Sequence, residues 1–366
     1  MKAYRYRIYP SRKQTELLNH HLWLSKELWN RLLAEVKAQY EKDKTFPSKT
    51  ALFKQVKQTG LYSQTAQEVV KRLYRGLQRK TKMKKQGKNA GFPRFKSFSQ
   101  LKSLIYPQFG FSLDQRLNVT PFGSIAIKKH RAVQGKIKTL TIKRESSGKW
   151  YAIFSVEEEL PIPKSNHGPA IGIDLGLMHF GTLSNGMRIK NPQHLKKWEE
   201  KLAFFQRQLS RKKKGSRNRV HARIKVARLH EKVANARKDF LHKTANQLLS
   251  NYSLIGLEQL RSQEMAMDGH GKNIHDVAWG MFTHILGCKA ESAGCQVVFV
   301  NPKNTSKACS HCGKIVEKSL YERVHRCTHC GLSIDRDWNA AINILARATG
   351  GRPGSNACGD GRVIPS

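Results

Sequence analysis

The sequence predicts an α/β unit built on a mixed sheet and carrying a zinc-binding module, preceded by a β-rich unit with helices inserted into it. Three observations lead there. Apolar stretches from residue 170 onward read strand, hairpin, helix, strand, helix, strand. Cys309, Cys312, Cys327 and Cys330 form two C-x-x-C pairs separated by fourteen residues, the spacing of a tetrahedral structural zinc site. The 366-residue chain holds 67 Lys and Arg against 26 Asp and Glu, a formal net charge of +41.

Such a surface repels itself unless it meets a polyanion. Nucleic acid is favoured over an anionic membrane, because the cations are spread along the whole chain and no apolar run reaches transmembrane length. The start, "MKAYRYRIYP", lacks the apolar core of a signal peptide, so a soluble intracellular protein is expected. Reduced thiols follow, and they favour metal over disulfide. The length suggests two or three domains and sets the chain apart from short ribosomal or histone-like binders.

In order, "YRYRIYP" alternates and reads as a strand ending at Pro10. Residues 11–42 then show helical periodicity, with Leu17, Leu18, His21, Leu24, Leu28, Leu32 and Val36 near one face and Ser11 as N-cap. Trp23 and Trp29 read as core. Residues 63–86 form a second helix that turns basic toward its end. In "GFPRFKSFSQLKSLIYPQ", Phe92, Phe95, Phe98 and Tyr106 lie among Arg94, Lys96 and Lys102; they either stack on bases or pack inward. Short strands follow from Phe109 to Glu159, a small β-barrel or sheet. Pairing with the first strand would make 11–97 an inserted helical domain. "PIPKSNHGP" is a linker. Past the strand and hairpin of "AIGIDLGLMHFGTLSNG", two basic helices are expected at about 190–212 and 217–250. Their turn, "SRKKKGSRN", is either a solvated tip or a phosphate contact. "LIGLEQL" and "CQVVFV" read as strands around a helix over "DVAWGMFTHILGCKAESAG". The Gly-rich tail 351–366 is expected to be flexible.

Two strands carry a carboxylate in an apolar setting, Asp174 in "IGIDLG" and Glu258 in "IGLEQL". A buried carboxylate is costly unless paired or metal-bound. Together with Asp337 in "DRDWNAA", and in a chain so poor in acids, they suggest a shared site for Mg²⁺, which takes oxygen ligands. Two ions about 4 Å apart activate a water and stabilise a leaving oxygen, the chemistry of phosphodiester hydrolysis. Asp335 competes with Asp337 for the third position. Asp337 is preferred for a helix start with Asn339, leaving Asp335 to pair with Arg336 or a backbone amide. The four cysteines close the zinc shell, so the site should not catalyse, and His311, His325 and His329 read as unliganded surface residues. The zinc hook would fix the approach of the last helix and carry Lys307, Lys314, Arg323 and Arg326 toward a substrate strand.

"GIDLG", "GLEQL", "NTSKACSHCG" and "DRDWNAAINI", in this order, resemble TnpB, the transposon-encoded relatives of type V CRISPR effector nucleases. "YRIYPSRKQ" and "GFPRFKS" resemble the family's start and mid-region. The resemblance implies a RuvC-like nuclease domain of RNase H fold over 166–300 and 335–350, interrupted by a zinc module over 301–334. It implies a β-barrel wedge domain over 1–10 and 98–165 with a helical recognition domain at 11–97 inserted. It also implies Asp174, Glu258 and Asp337 as catalytic carboxylates holding two Mg²⁺, with Cys309, Cys312, Cys327 and Cys330 holding Zn²⁺. A guide RNA from the transposon end, double-stranded target DNA cut beside a short flanking motif, and a separate transposase of the same element are the implied partners. The implied location is the cytoplasm of a prokaryote, on the nucleoid. Lys307 stands where the family often has Gln and Cys288 where Tyr is common; neither is a metal position. The alternatives are a zinc-ribbon binding protein without catalysis and an RNase H-fold transposase, whose carboxylates usually run Asp, Asp, Glu rather than Asp, Glu, Asp.

Overall fold

Alternation at Tyr4, Tyr6 and Ile8, all buried, makes Lys2–Tyr9 the strand β1. The computed structural model describes residues 1–56, 59–158, 166–260, 276–319 and 322–350. The tail and most of the linker lie outside the described residues. The chain falls into two units, Met1–Glu159 and Leu160–Ser366.

In the first unit, Ser11 caps helix α1 (Arg12–Asp43) through a capping box with Gln14. Helices α2 (Lys49–Lys54) and α3 (Ser63–Lys85) follow. Strands β2 (Ser103–Tyr106), β3 (Phe111–Leu113), β4 (Leu117–Val119), β5 (Gly123–Lys128), β6 (Lys136–Arg144) and β7 (Trp150–Glu157) join β1 in an antiparallel, barrel-like sheet. Its order is β2-β6-β7-β1-β5-β4-β3. Strand β5 changes partner midway: Ile125 pairs with Leu117 of β4, and Ala126 with Tyr9 of β1. The helices share one core with the sheet, Leu18, Leu22 and Leu73 packing in the same cluster as Tyr6 and Phe154.

Three expectations need correction here. Trp29 is core, but Trp23 is exposed and stacks on His20 with ring centroids 5.8 Å apart. Of the expected stripe of α1, Leu18, His21, Leu28, Leu32 and Val36 are buried, but Leu17 is exposed, and Leu22 and Leu33 join the core instead. The aromatic segment divides: Tyr106 packs inward, whereas Phe95 and Phe98 stay exposed under Lys37 and Arg144, at 4.6 and 4.4 Å. Trp29 and Asn30 pin that segment by hydrogen bonds to the backbone of Arg94 and Lys96.

In the second unit, β8 (Ala170–Asp174), β9 (His179–Leu183), β10 (Arg188–Lys190), β11 (Leu254–Glu258) and β12 (Gln296–Val300) form one mixed sheet, ordered β10-β9-β8-β11-β12. β8, β11 and β12 are parallel, and β9 and β10 are antiparallel. The first basic helix, α4, spans Glu199–Ser210 and not a start near 190. Asn191 bonds the Leu177 carbonyl, Gln193 has a positive φ, and the Leu195 amide donates to Asp276, so the chain is committed to a loop there. Helices α5 (Arg217–Asn251), α6 (Trp279–Ala290) and α7 (Arg336–Ala348) complete the layers.

The two faces of this sheet differ. Ile171, Ile173, Ile255 and Leu257 pack on α5 and α6. On the other face Gly172 and Gly256, which pair in register, admit α7. A Cβ on Gly172 would lie 2.2 Å from the Ala341 carbonyl oxygen, and one on Gly256 2.7 Å from the Ala348 methyl. Gly172→Ala should therefore displace α7 at about 1–3 kcal/mol and lower the calorimetric melting temperature of this unit by several degrees. Gly287→Ala, in α6 with open space around it, should leave that temperature unchanged or raised.

Candidate active site

Side chains two apart on a strand share a face. Asp174 and Glu258 each follow a glycine of the α7 seat by two residues, so both carboxylates project toward that helix. They end adjacent parallel strands, at the carboxyl edge where open α/β sheets place their ligands. Asp337 lies in the first turn of α7, four residues before Ala341, the residue seated on Gly172. The fold thus assembles three of the chain's few acids in one field. Burial pushes the Asp174 carboxyl well above the usual carboxylate range, and the charges of Glu258 and Asp337 push it further, against Arg336. Burial also raises Glu258, opposed by a hydrogen bond from Thr305 and the charge of Arg347.

Glu258, Asp337 and the neighbouring Asp335 have distinct supports. The Thr305 hydroxyl donates to Glu258. Asp337 lies 3.4 Å from the Arg336 guanidinium and 3.9 Å from that of Arg323. Asp335 is the N-cap of α7, accepting from the Asp337 and Trp338 amides at 2.9 and 3.0 Å, and it pairs with Arg188 at 2.9 Å. Its oxygens are therefore engaged in starting the helix.

The four cysteine sulfurs lie within 4.8 Å of one another, with the Cys309–Cys330 and Cys312–Cys327 pairs at 3.6 Å. A tetrahedron of thiolates about 2.3 Å from zinc has edges of about 3.8 Å, so the donor set fits. Both C-x-x-C-G turns use one backbone pattern. The first cysteine's amide bonds the carbonyl five residues on, and its carbonyl accepts from the glycine amide, Gly313 or Gly331, each with positive φ. Burial opposes the Cys327 thiolate, but the amides of His329 and Cys330, with the Cys330 and Cys312 thiols, outweigh it and bring that thiol down to about 7. At Cys330 the Leu332 amide is outweighed by burial and the neighbouring thiols, which push that thiol up. This is the only such cluster of three or more ligating groups among the described residues; the carboxylates are not gathered as closely, as expected of like charges.

The module is tied to the site by α7. Asn339 bonds the Ala308 carbonyl and the Ser310 amide; Asn343 bonds the carbonyls of Thr305 and Ala308; Arg347 bonds those of Asn301 and Lys303. These residues, four apart, form one helix stripe. The strand β13 (Val324–Arg326) pairs with β14 (Ser333–Asp335), which runs straight into α7. His311 and His329 are exposed, but His325 is buried with Nδ1 2.6 Å from the Lys318 amine, so the surface expectation fails for it. Its strand pairing turns the ring into the module. Lys307 pairs with Glu317, while Lys314 and Arg326 are exposed. Sequence reasoning missed Thr305, Asn343 and the glycine pair, and took Asn339 as part of the helix start, where it lies, without its hold on the cysteine turn. The available signals were a glycine two before each strand carboxylate and asparagines four apart.

Three family patterns match the chain. "Probable transposase" of OrfB_IS605 type matches 153–268, a Cas12f1-like TNB domain matches 279–344, and a "Helix-turn-helix domain" of OrfB_IS605 type matches 1–45. An Escherichia coli (strain K12) protein named "Putative RNA-guided DNA endonuclease InsQ" is 34% identical over 71% of this chain and 69% of its own length. A Streptomyces pristinaespiralis protein named "Putative RNA-guided DNA endonuclease" is 37% identical over 61% of this chain and 55% of its own length. Cas12f1, solved as a "Cas12f1-sgRNA-target DNA complex", shares the fold at TM-score 0.57 and 16% identity, over 92% of this chain and 83% of that one.

Two outcomes are expected from this geometry. Because the folded state raises the Asp174 pKa, it holds that proton longer than the unfolded chain does. The group's contribution to stability then falls as pH rises from the ordinary carboxylate value through the folded one. In magnesium-free buffer Asp174→Asn should raise the melting temperature by several degrees at pH 8 and by little at pH 4. One equivalent of Co²⁺ should bind the cysteine module with the strong visible absorption of a tetrathiolate centre, and Cys330→Ser should abolish that spectrum.

Proposed function

The chain belongs to the TnpB family, the OrfB proteins of IS605-type elements, and from that membership and the carboxylate geometry we propose that it is an RNA-guided DNA endonuclease. The observation that carries this reading is the convergence of Asp174, Glu258 and Asp337 on one face at the carboxyl edge of the sheet. In a chain so cationic, half-buried acids set where they repel one another are the mark of a site built for cations. Asp174, Glu258 and Asp337 would hold two Mg²⁺, whose bound chemistry is to lower the pKa of the attacking water and neutralise the leaving oxygen. Thr305 sets the orientation of Glu258 by hydrogen bonding. Arg336 and Arg323 hold Asp337 in place. The α7 stripe Asn339, Asn343 and Arg347 keeps Thr305 and the cysteine module in register with the sheet.

A strand order of 3-2-1-4-5, counted within the second unit, supports an RNase H-like RuvC domain over 166–300 and 335–350. Zn²⁺ in the four-thiolate module over 301–334 is structural, since a closed shell has no open position. The pairing of β1 with β5 and β7 supports a wedge domain over 1–10 and 98–165, with 11–97 as the helical recognition domain. Base pairing with a guide RNA from the transposon end selects the double-stranded target, and the protein reads shape and a short flanking motif. The place of action is the prokaryotic cytoplasm, alongside a separate transposase of the same element; no described helix is long and apolar enough to cross a membrane.

Strand transfer is a second reading, favoured by the "Probable transposase" pattern over 153–268; the carboxylate order Asp, Glu, Asp opposes it. The test is plasmid cleavage by the chain co-expressed with its downstream locus. Asp174→Ala and Glu258→Ala should each cut cleavage by at least about 100-fold, as expected for loss of a metal-holding group, with the copurified RNA retained. Joining of element ends without cleavage of a guide-matched target would favour strand transfer. RNA-loaded protein that binds the target but never cuts would leave a binding protein.

A further inference from the structure

The hairpin between α4 and α5 takes no part in the site just described, yet it is among the most basic stretches of the chain. Residues 201–230 contain eleven Lys and Arg and no Asp or Glu. Its construction is deliberate. The N-terminal half of α5 packs on α4 through a small core of its own, Leu202, Val226 and Leu229. The tip is an ordered turn: the Ser216 hydroxyl accepts from the Arg219 amide, and the Arg219 guanidinium binds the Leu209 and Lys212 carbonyls at 3.0 and 2.7 Å. Arg219 is thereby used as a fastener. Arg211, Lys212, Lys213, Lys214 and Arg217 are left exposed around it.

The direction of the hairpin follows from its base. Asn166, just ahead of β8, bonds the carbonyls of Leu249 and Tyr252, so α5 ends at the amino edge of the sheet. From there α5 runs back along the face covered by Leu241–Leu249. Roughly 35 Å of helix separate Leu241 from Arg217 at 1.5 Å per residue, against about 17 Å for a five-residue strand. The tip therefore projects well past the carboxyl edge, the edge that bears Asp174 and Glu258. Beside the tip an open groove of about 510 Å³ is lined by Gln208, Arg211, Lys212, Asn218, His221 and Lys225, cations interleaved with amides. Residues 210–219 include no apolar side chain to insert into a bilayer.

We propose that this hairpin clamps the phosphodiester backbone of a nucleic-acid duplex that extends beyond the catalytic edge, a reading that rests on the nucleic-acid partner proposed above but not on cleavage. Both the folded guide RNA and the target DNA offer that backbone. Contact through phosphates alone makes the interaction independent of base sequence and steep in salt.

The test compares the full chain with Lys212→Gln/Lys213→Gln/Lys214→Gln and with the matching triple Lys→Arg variant. Binding is measured from low to high salt in two arms, the copurified RNA rebound to stripped protein and a short DNA duplex matching the guide added to RNA-loaded protein. The Gln variant should lower the slope of log K against log salt by up to about 3 and weaken binding about 10- to 100-fold at 0.15 M salt, at 0.9 ions per duplex phosphate. The Arg variant should keep both. The arm that changes identifies the source as RNA or DNA. Unchanged slopes in both arms, or equal losses with Arg, would overturn the clamp. Helical circular dichroism monitors the fold throughout. Wild-type protein that binds with the full slope but never cuts would remove the nuclease reading and leave the clamp standing.

Discussion

The contact of α7 against a pair of glycines is the constraint on which the second unit depends. Gly172 and Gly256 face each other in register, and helix backbone at the first and the Ala348 methyl at the second rest where side chains would be. That closeness brings the start of α7 to the ends of β8 and β11. One stripe of the helix, with Asp337 and Ala341, faces the sheet. A second, Asn339, Asn343 and Arg347, grips the segment leading into the cysteine turn. On a third side the Trp338 indole donates to the Ser184 carbonyl and Asp335 pairs with Arg188, fixing the β9–β10 hairpin. A single helix therefore sets the relative positions of the acids, the cysteine module and the sheet. This is why a cysteine hook sits immediately before two aspartates and a helix start.

The charge distribution makes sense only as a whole. A formal charge of +41 disfavours the isolated molecule, and so does burial of Asp174 beside two further acids. The two costs arise from charges of opposite sign and act over different ranges. Long-range cationic repulsion is relieved by a polyanion, and short-range repulsion among carboxylates by small cations. Sites of this kind are where local rules for stability are broken in favour of function. The cysteine module shows the same logic at smaller scale: four thiols are held within 4.8 Å of one another, and backbone amides favour the thiolate at Cys327.

In the first unit, cations rest on aromatic faces. Lys96 lies 3.5 Å from the Trp29 ring centroid, and burial, with Arg72 nearby, lowers its amine to about 8. Lys37 and Arg144 cover Phe95 and Phe98 in the same way. Such contacts let a basic chain bring its lysines and arginines close to its own core without acidic partners. They also leave a mixed aromatic and cationic surface, the chemistry of single-strand recognition.

Much of this was legible in the sequence, wherever the signal is local. Alternation marked β1 and β7, periodicity and Ser11 marked α1, and the cysteine spacing marked the module, because strand pleat, helix pitch and chelate size act over a few residues. Apolar strands interrupted by Asp174 and Glu258 marked the acids, because burying a charge demands a reason. What the tertiary structure decided depends on partners far along the chain. His325 is buried by a strand pairing, Trp23 is left on the exposed side of α1, and α4 is delayed by Asp276, about eighty residues away. Thr305 found Glu258, and Asn343 found the Thr305 carbonyl, only because two glycines let a helix approach to backbone distance. Composition and periodicity report which groups prefer burial; which of them meet is set by register and close approach, and these exist only once the chain has folded.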